Sequence, residues 1–171
     1  LACVDRGASI ATAGPAFGRL RRIEAEAQKW AGSNERVVES AREALTMLEP
    51  GSEEWLVVLG ELAAAEGKLG NPANVFMLGD ALESAPHVEG KEGVRAVAAA
   101  RIAMQMALAG DPAAATVLLA KNVASEDVLD PVARGYVFEA RSVIAGAFGR
   151  RGERVRLALH ASLEFEVGGD R

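Results

Sequence analysis

Along Glu35–Leu48 the apolar residues fall at Val37, Val38, Ala41, Ala44, Leu45 and Leu48. Steps of three and four place such residues on one face of a helix. Glu53–Leu69 repeats the pattern with Trp55, Val58, Leu59, Leu62, Ala63 and Leu69. Two later stretches follow it: Val94, Val97, Ala98, Ile102, Leu108 and Ala109, then Tyr136, Val137, Ala140, Val143, Ile144, Ala147 and Phe148. Shorter partners carry Val75, Leu78 and Leu82, then Val117, Leu118 and Val123, then Val155, Leu159 and Leu163. No stretch sustains the two-residue alternation of a half-buried strand. The pattern predicts an all-α chain.

Glycine punctuates these helices at Gly32-Ser33-Asn34, Gly70-Asn71-Pro72, Gly110-Asp111-Pro112 and Gly152-Glu153. The four glycines are 38, 40 and 42 residues apart. Glycine ends a helix by taking a left-handed conformation at little cost, and Asn or Asp then caps the next helix. Proline suits the first helical turn that follows. Longer loops, at Glu49–Ser52, Pro86–Gly90 and Ser125–Pro131, separate one hairpin from the next, and Ser52 is placed to cap a helix. The prediction is a poorly patterned segment over 1–14 and a repeat domain over 15–171 of about four antiparallel helix pairs. The first pair spans approximately Pro15–Leu48, with its turn at Ala31–Asn34.

The turns at Gly70-Asn71, Gly110-Asp111 and Gly152-Glu153, with Pro50, Pro86 and Pro131 trailing the second helices, resemble the tetratricopeptide family. Trp55 and Gly60 loosely echo its first-helix cluster, and the interval is longer than the family's roughly 34 residues. The resemblance implies a right-handed superhelical solenoid whose first helices line a concave, non-catalytic binding face. A narrower resemblance lies in Glu49-Pro50-Gly51-Ser52-Glu53-Glu54-Trp55, in Asp130-Pro131-Val132-Ala133-Arg134-Gly135-Tyr136 and in the ending Phe165–Arg171. These strings are similar to helical-repeat regions that follow the kinase domain in large serine/threonine protein kinases of myxobacteria. Related repeats also follow ATPase modules in bacterial regulators. The resemblance implies the sensory or docking part of a larger signalling protein. A start at Leu1 without Met, and an ending in Gly168-Gly169-Asp170-Arg171 like the opening of another hairpin, give the same expectation of a piece of something longer.

Composition narrows the partner. The chain has 171 residues, half of them hydrophobic but only 5% aromatic, so the core must be built from Ala, Leu and Val. Side chains this small let helices approach closely. The net charge of −5 disfavours nucleic acid, whose phosphates bind clustered Lys and Arg. No apolar run approaches the roughly 20 residues a spanning helix needs. The one cysteine, Cys3, has no partner in the chain for a disulfide, which fits a reducing cytoplasm.

A search for chemistry yields no catalytic set. The strings of a kinase core are absent, and the nearest likeness to a phosphate loop, Gly60 to Gly67-Lys68, is too long and ends in Leu69. His87 and His160 lie far apart without metal-ligand spacing, and they are read as a loop residue and a helix-surface residue. The carboxylates Glu24, Glu26, Glu61, Glu66, Glu164 and Glu166 pair at two-residue spacing, or five for Glu61 and Glu66, which does not stack on one helix face. They are read as solvated charges. Arg19-Leu20-Arg21-Arg22 and the run Arg150–Arg156 are read as solvated basic clusters.

No enzyme activity, metal or cofactor is therefore expected. The expected partner is a protein or peptide; with the glycine turns set at the family's turn position, the resemblance implies a groove lined by Arg22, Glu26, Lys29, Lys68, Met104, Glu139 and Arg150. Gly60, Gly67, Gly146 and Gly149, on the same helices, equally fit close helix packing. Two alternatives stay open: a small-molecule-sensing regulatory domain of an ATPase or transcription regulator, and a structural oligomerisation module.

Overall fold

The computed structural model describes residues 14–123 and 125–169. Among them are eight α-helices: α1 Pro15–Trp30, α2 Asn34–Met47, α3 Glu53–Lys68, α4 Pro72–Ser84, α5 Glu92–Leu108, α6 Pro112–Asn122, α7 Pro131–Ala147 and α8 Arg151–Gly168. One 3₁₀ turn covers Glu126–Val128, and the described residues contain no strand. All of the expected N-terminal segment except Gly14 lies outside the described residues, as does Cys3.

The same turn closes each of α1, α3, α5 and α7. Gly32, Gly70, Gly110 and Gly149 adopt φ of 75°, 75°, 98° and 75°. The residue after each glycine donates its N–H to the carbonyl five positions back: Ser33 to Gln28 at 3.0 Å, Asn71 to Glu66 at 3.0 Å, Asp111 to Met106 at 3.0 Å and Arg150 to Ala145 at 2.9 Å. This bond satisfies a carbonyl that the helix end leaves free, and it reverses the chain into the next helix. Side-chain caps add to it at the Gly110 turn and at two other helix starts. Ser52 accepts from the Trp55 N–H at 3.3 Å, Asp111 from Ala114 at 2.9 Å and Asp130 from Ala133 at 2.9 Å.

The fourth turn differs from expectation. Gly149 makes it, whereas Gly152 lies inside the first turn of α8 with an ordinary helical φ. The turn glycines thus stand 38, 40 and 39 residues apart, more evenly than the sequence reading had them. Pro131 likewise opens α7 rather than trailing α6.

The helices of each pair pack on one another, and α2, α4 and α6 also touch the first helix of the following pair. The first helices α3, α5 and α7 lie in sequence, so α5 meets α3, α4, α6 and α7. A helix with four neighbours must be apolar nearly all round and slim. Ala96, Ala99, Ala100, Ile102 and Ala103 accordingly have no exposed surface. Gly60 of α3 is set against α5, where an added Cβ would lie 3.1 Å from the Arg101 side chain and 3.4 Å from the Ala98 backbone. Gly67 meets the Gln105 side chain more tightly still. Some apolar positions of the expected helix faces are exposed, among them Leu108, Val117 and Phe148. Val155, Leu159 and Leu163 are exposed too, because α8 turns Ala161 and Phe165 toward α7 instead.

Gly149→Ala forces a left-handed Ala and is expected to destabilise by about 1–2 kcal/mol. Gly152→Ala meets open space on a helix and is expected to be neutral or to stabilise by up to about 1 kcal/mol. Urea unfolding of the two variants checks the assignment. A loss at Gly152→Ala with none at Gly149→Ala would return the turn to Gly152.

Candidate functional site

The first helices share a polar chain. Glu61 of α3 accepts from Lys29 Nζ of α1 at 2.9 Å and is ion-paired with Arg101 of α5. Arg101 continues to α7, donating to the Tyr136 hydroxyl at 3.1 Å with its guanidinium 5.0 Å from that ring's centre. Tyr136 in turn meets Phe165 of α8 edge to face. Burial alone would raise the Glu61 carboxyl, but the charge of Arg101 and the hydrogen bond from Lys29 outweigh it, so its pKa lies below the ordinary 4.5. Glu139, on α7, shows the opposite balance. Desolvation raises its carboxyl, with Arg101 pulling it down less strongly, although the residue as a whole is exposed.

Two recesses border this chain, and a third adjoins them. One lies between α1 and α3, lined by Arg22, Ala25, Glu26, Val57, Val58 and Glu61. The next lies between α3 and α5, lined by Val57, Gly60, Glu61, Val94, Val97 and Arg101 among others. The third, of about 730 Å³, opens toward the loops between Arg22, Glu54, Val57, Val88 and Lys91. Val57 lines all three, so they form one furrow with an apolar floor of Val57, Val94 and Val97 between charged rims. Arg22 pairs with Glu26 at 3.7 Å, yet its buried Nε has no hydrogen-bond partner among the described residues.

The structure brings together Arg22, Glu26 and Lys29 of the sequence-predicted set, and it sets Glu139 near Arg101. Met104 is half-buried and packed against the core. Lys68 is exposed at the end of α3. Arg150 stands apart at the last turn, 4.9 Å from the Phe148 ring centre and 3.5 Å from Glu153. There it borders a separate recess of about 630 Å³ between α6, α7 and α8, with Val117, Ile144, Phe148 and Leu157 in its walls.

Two carboxylates read as solvated are not. Glu66 is 1% exposed, bonded to Arg42 of α2 at 2.6 Å and to the Asn71 side chain at 2.8 Å. Burial would raise its pKa, but hydrogen bonds from Asn74, Arg42 and Asn71 hold it below 4.5. Glu61 is the second. Glu24 and Glu164 are also partnered, by Arg21 and Arg134. Sequence spacing tested only same-helix pairs, and these partners come mostly from other helices. Arg95 was missed altogether. It is buried, donates to Asn122 at 2.9 Å and to the carbonyls of Leu82, Ala85 and Pro86, and thereby closes the end of α4. Among the described residues no three His, Cys, Asp or Glu side chains gather as a metal site, and no helix is long and apolar enough to cross a membrane.

The comparisons with known proteins return no matching family model, no matching curated protein and no matching solved structure.

Both Glu61 and Glu66 have folded pKa values below the unfolded one. Between those values the unfolded chain binds more protons. Their stabilisation is therefore whole above about pH 4.5 and drains away as pH falls through the lower folded values. The double variant Glu61→Gln/Glu66→Gln is expected to lose about 2–4 kcal/mol at pH 7. It should also show a shallower decline in acid, measured by urea unfolding from pH 7 to pH 3. Parallel pH profiles for variant and parent would contradict this role.

Proposed function

We propose that the chain is a non-catalytic, tetratricopeptide-like interaction module whose first-helix furrow holds an extended peptide or partner helix. The observation that carries the reading is the continuity of the furrow over α1, α3 and α5, with Val57 common to all its parts. An apolar floor takes alternate side chains of a bound segment, and flanking charges fix its direction. Support comes also from the Arg22–Glu26 ion pair on its wall. The sequence strings around Pro50 and Pro131 add the setting. In this reading the module curves as a right-handed solenoid and serves as the cytoplasmic docking or sensory part of a bacterial signalling protein.

A second reading is favoured by the recess between α6, α7 and α8. Its apolar walls and about 630 Å³ fall within the size of small-molecule sites. A metabolite held there would make the chain a regulatory sensor.

Selection from a displayed random-peptide library, followed by calorimetry on the enriched peptides, tests the first reading. Arg22→Glu/Val57→Glu is expected to weaken binding at least about tenfold while leaving the melting temperature nearly unchanged, because both side chains are partly solvent-facing. Selected peptides that bind the variant as well as the parent would exclude the furrow. Thermal shifts with small metabolites, abolished by Ile144→Trp, would favour the sensor instead.

A further inference from the structure

Helices α4 and α6 each expose one large apolar residue, Met77 and Val117, whereas α8 exposes a row of four. Ten residues after the turn glycine stand exposed Arg42 in α2, Asp80 in α4 and Ala120 in α6. The same position in α8 is Leu159. Fourteen residues after it stand exposed Thr46 and Ser84 in α2 and α4, and Leu163 in α8. With Val155 and Val167 these leucines form a row at four-residue steps, which stays on one side of the helix. Their exposures are 59% for Val155, 61% for Leu159, 61% for Leu163 and 74% for Val167. Helix α8 buries only Ala161, on the side away from this row.

We propose that this row is a homodimer interface, with α8 of one copy lying antiparallel on α8 of another. The pattern is self-complementary about the level of Ala161. An antiparallel pair brings Leu159 level with the partner's Leu163 and Val155 level with the partner's Val167. Arg156 comes level with the partner's Glu166, so opposite charges meet twice, once on each side of the two-fold axis. A parallel pair would instead set Arg156 beside the partner's Arg156. Both side chains are free for this, since Arg156 and Glu166 are exposed and make no ion pair among the described residues. The interface lies away from the furrow and stands independently of what the furrow binds.

Sedimentation equilibrium of the whole chain tests the proposal. A dimer is expected at concentrations up to about 100 µM. Leu159→Glu should give a monomer with unchanged helical circular dichroism, because Leu159 is mostly exposed and lies outside the hydrophobic core. Arg156→Glu and Glu166→Arg alone should each weaken the dimer about tenfold by opposing like charges. The double variant Arg156→Glu/Glu166→Arg restores the pairing and should recover it. A monomeric parent overturns the proposal and leaves the face to a following helix or to a different protein. A dimer indifferent to Leu159→Glu, or single reversals that the double does not rescue, overturns the interface or its antiparallel register.

Discussion

The approach of α3 to α5 is the contact on which the other layers rest. Gly60 removes the side chain at the point where α3 meets Ala98 and Arg101, and Gly67 does the same opposite Gln105. With Ala98 in this seam and Ala96, Ala99, Ala100 and Ala103 buried elsewhere around α5, the helix stays slim enough to touch α3, α4, α6 and α7 together. A bulkier seam would push α5 outward and open its contacts with α4 and α6. Few large side chains are then needed, which is how a chain with so few aromatics fills its interior.

Small residues bring helices close but do not choose a register, since an alanine surface slides at little cost. Polar side chains supply that choice. Glu61 ties α1, α3 and α5 through Lys29 and Arg101, and Arg101 passes the tie to Tyr136 of α7. Glu66 fixes α2 and the Asn71 turn to α3, and Arg95 fixes α6 to the end of α4. Each of these charges is largely removed from water, so a shifted register would strand it without partners. The furrow inherits this rigidity, because Glu61 and Arg101 form its wall as well as its brace.

Much of the fold was legible in the sequence. Gly70-Asn71-Pro72 and Gly110-Asp111-Pro112 name a helix end, a reversal and a helix start in three residues each, and the structure has turns there. The last turn was misplaced because Gly149 and Gly152 both stand among arginines, and only the backbone distinguishes them. Of the expected groove residues, Arg22, Glu26 and Lys29 were placed by the family's turn position, and they lie on one element, α1. Glu61, Arg101 and Tyr136 were missed as a unit because they sit on three helices and meet only once those helices pack. The row on α8 carried the periodicity of a buried face. Periodicity reports that residues share a side, and it does not report whether anything covers that side.

Gly60→Leu, followed by urea unfolding, tests the central contact most directly. On a free helix the change would stabilise by nearly 1 kcal/mol, since leucine favours helix over glycine. In this seam the side chain has no room, and a net loss of about 1–3 kcal/mol is expected. Unchanged or increased stability would mean that α3 and α5 are not held in close contact at Gly60.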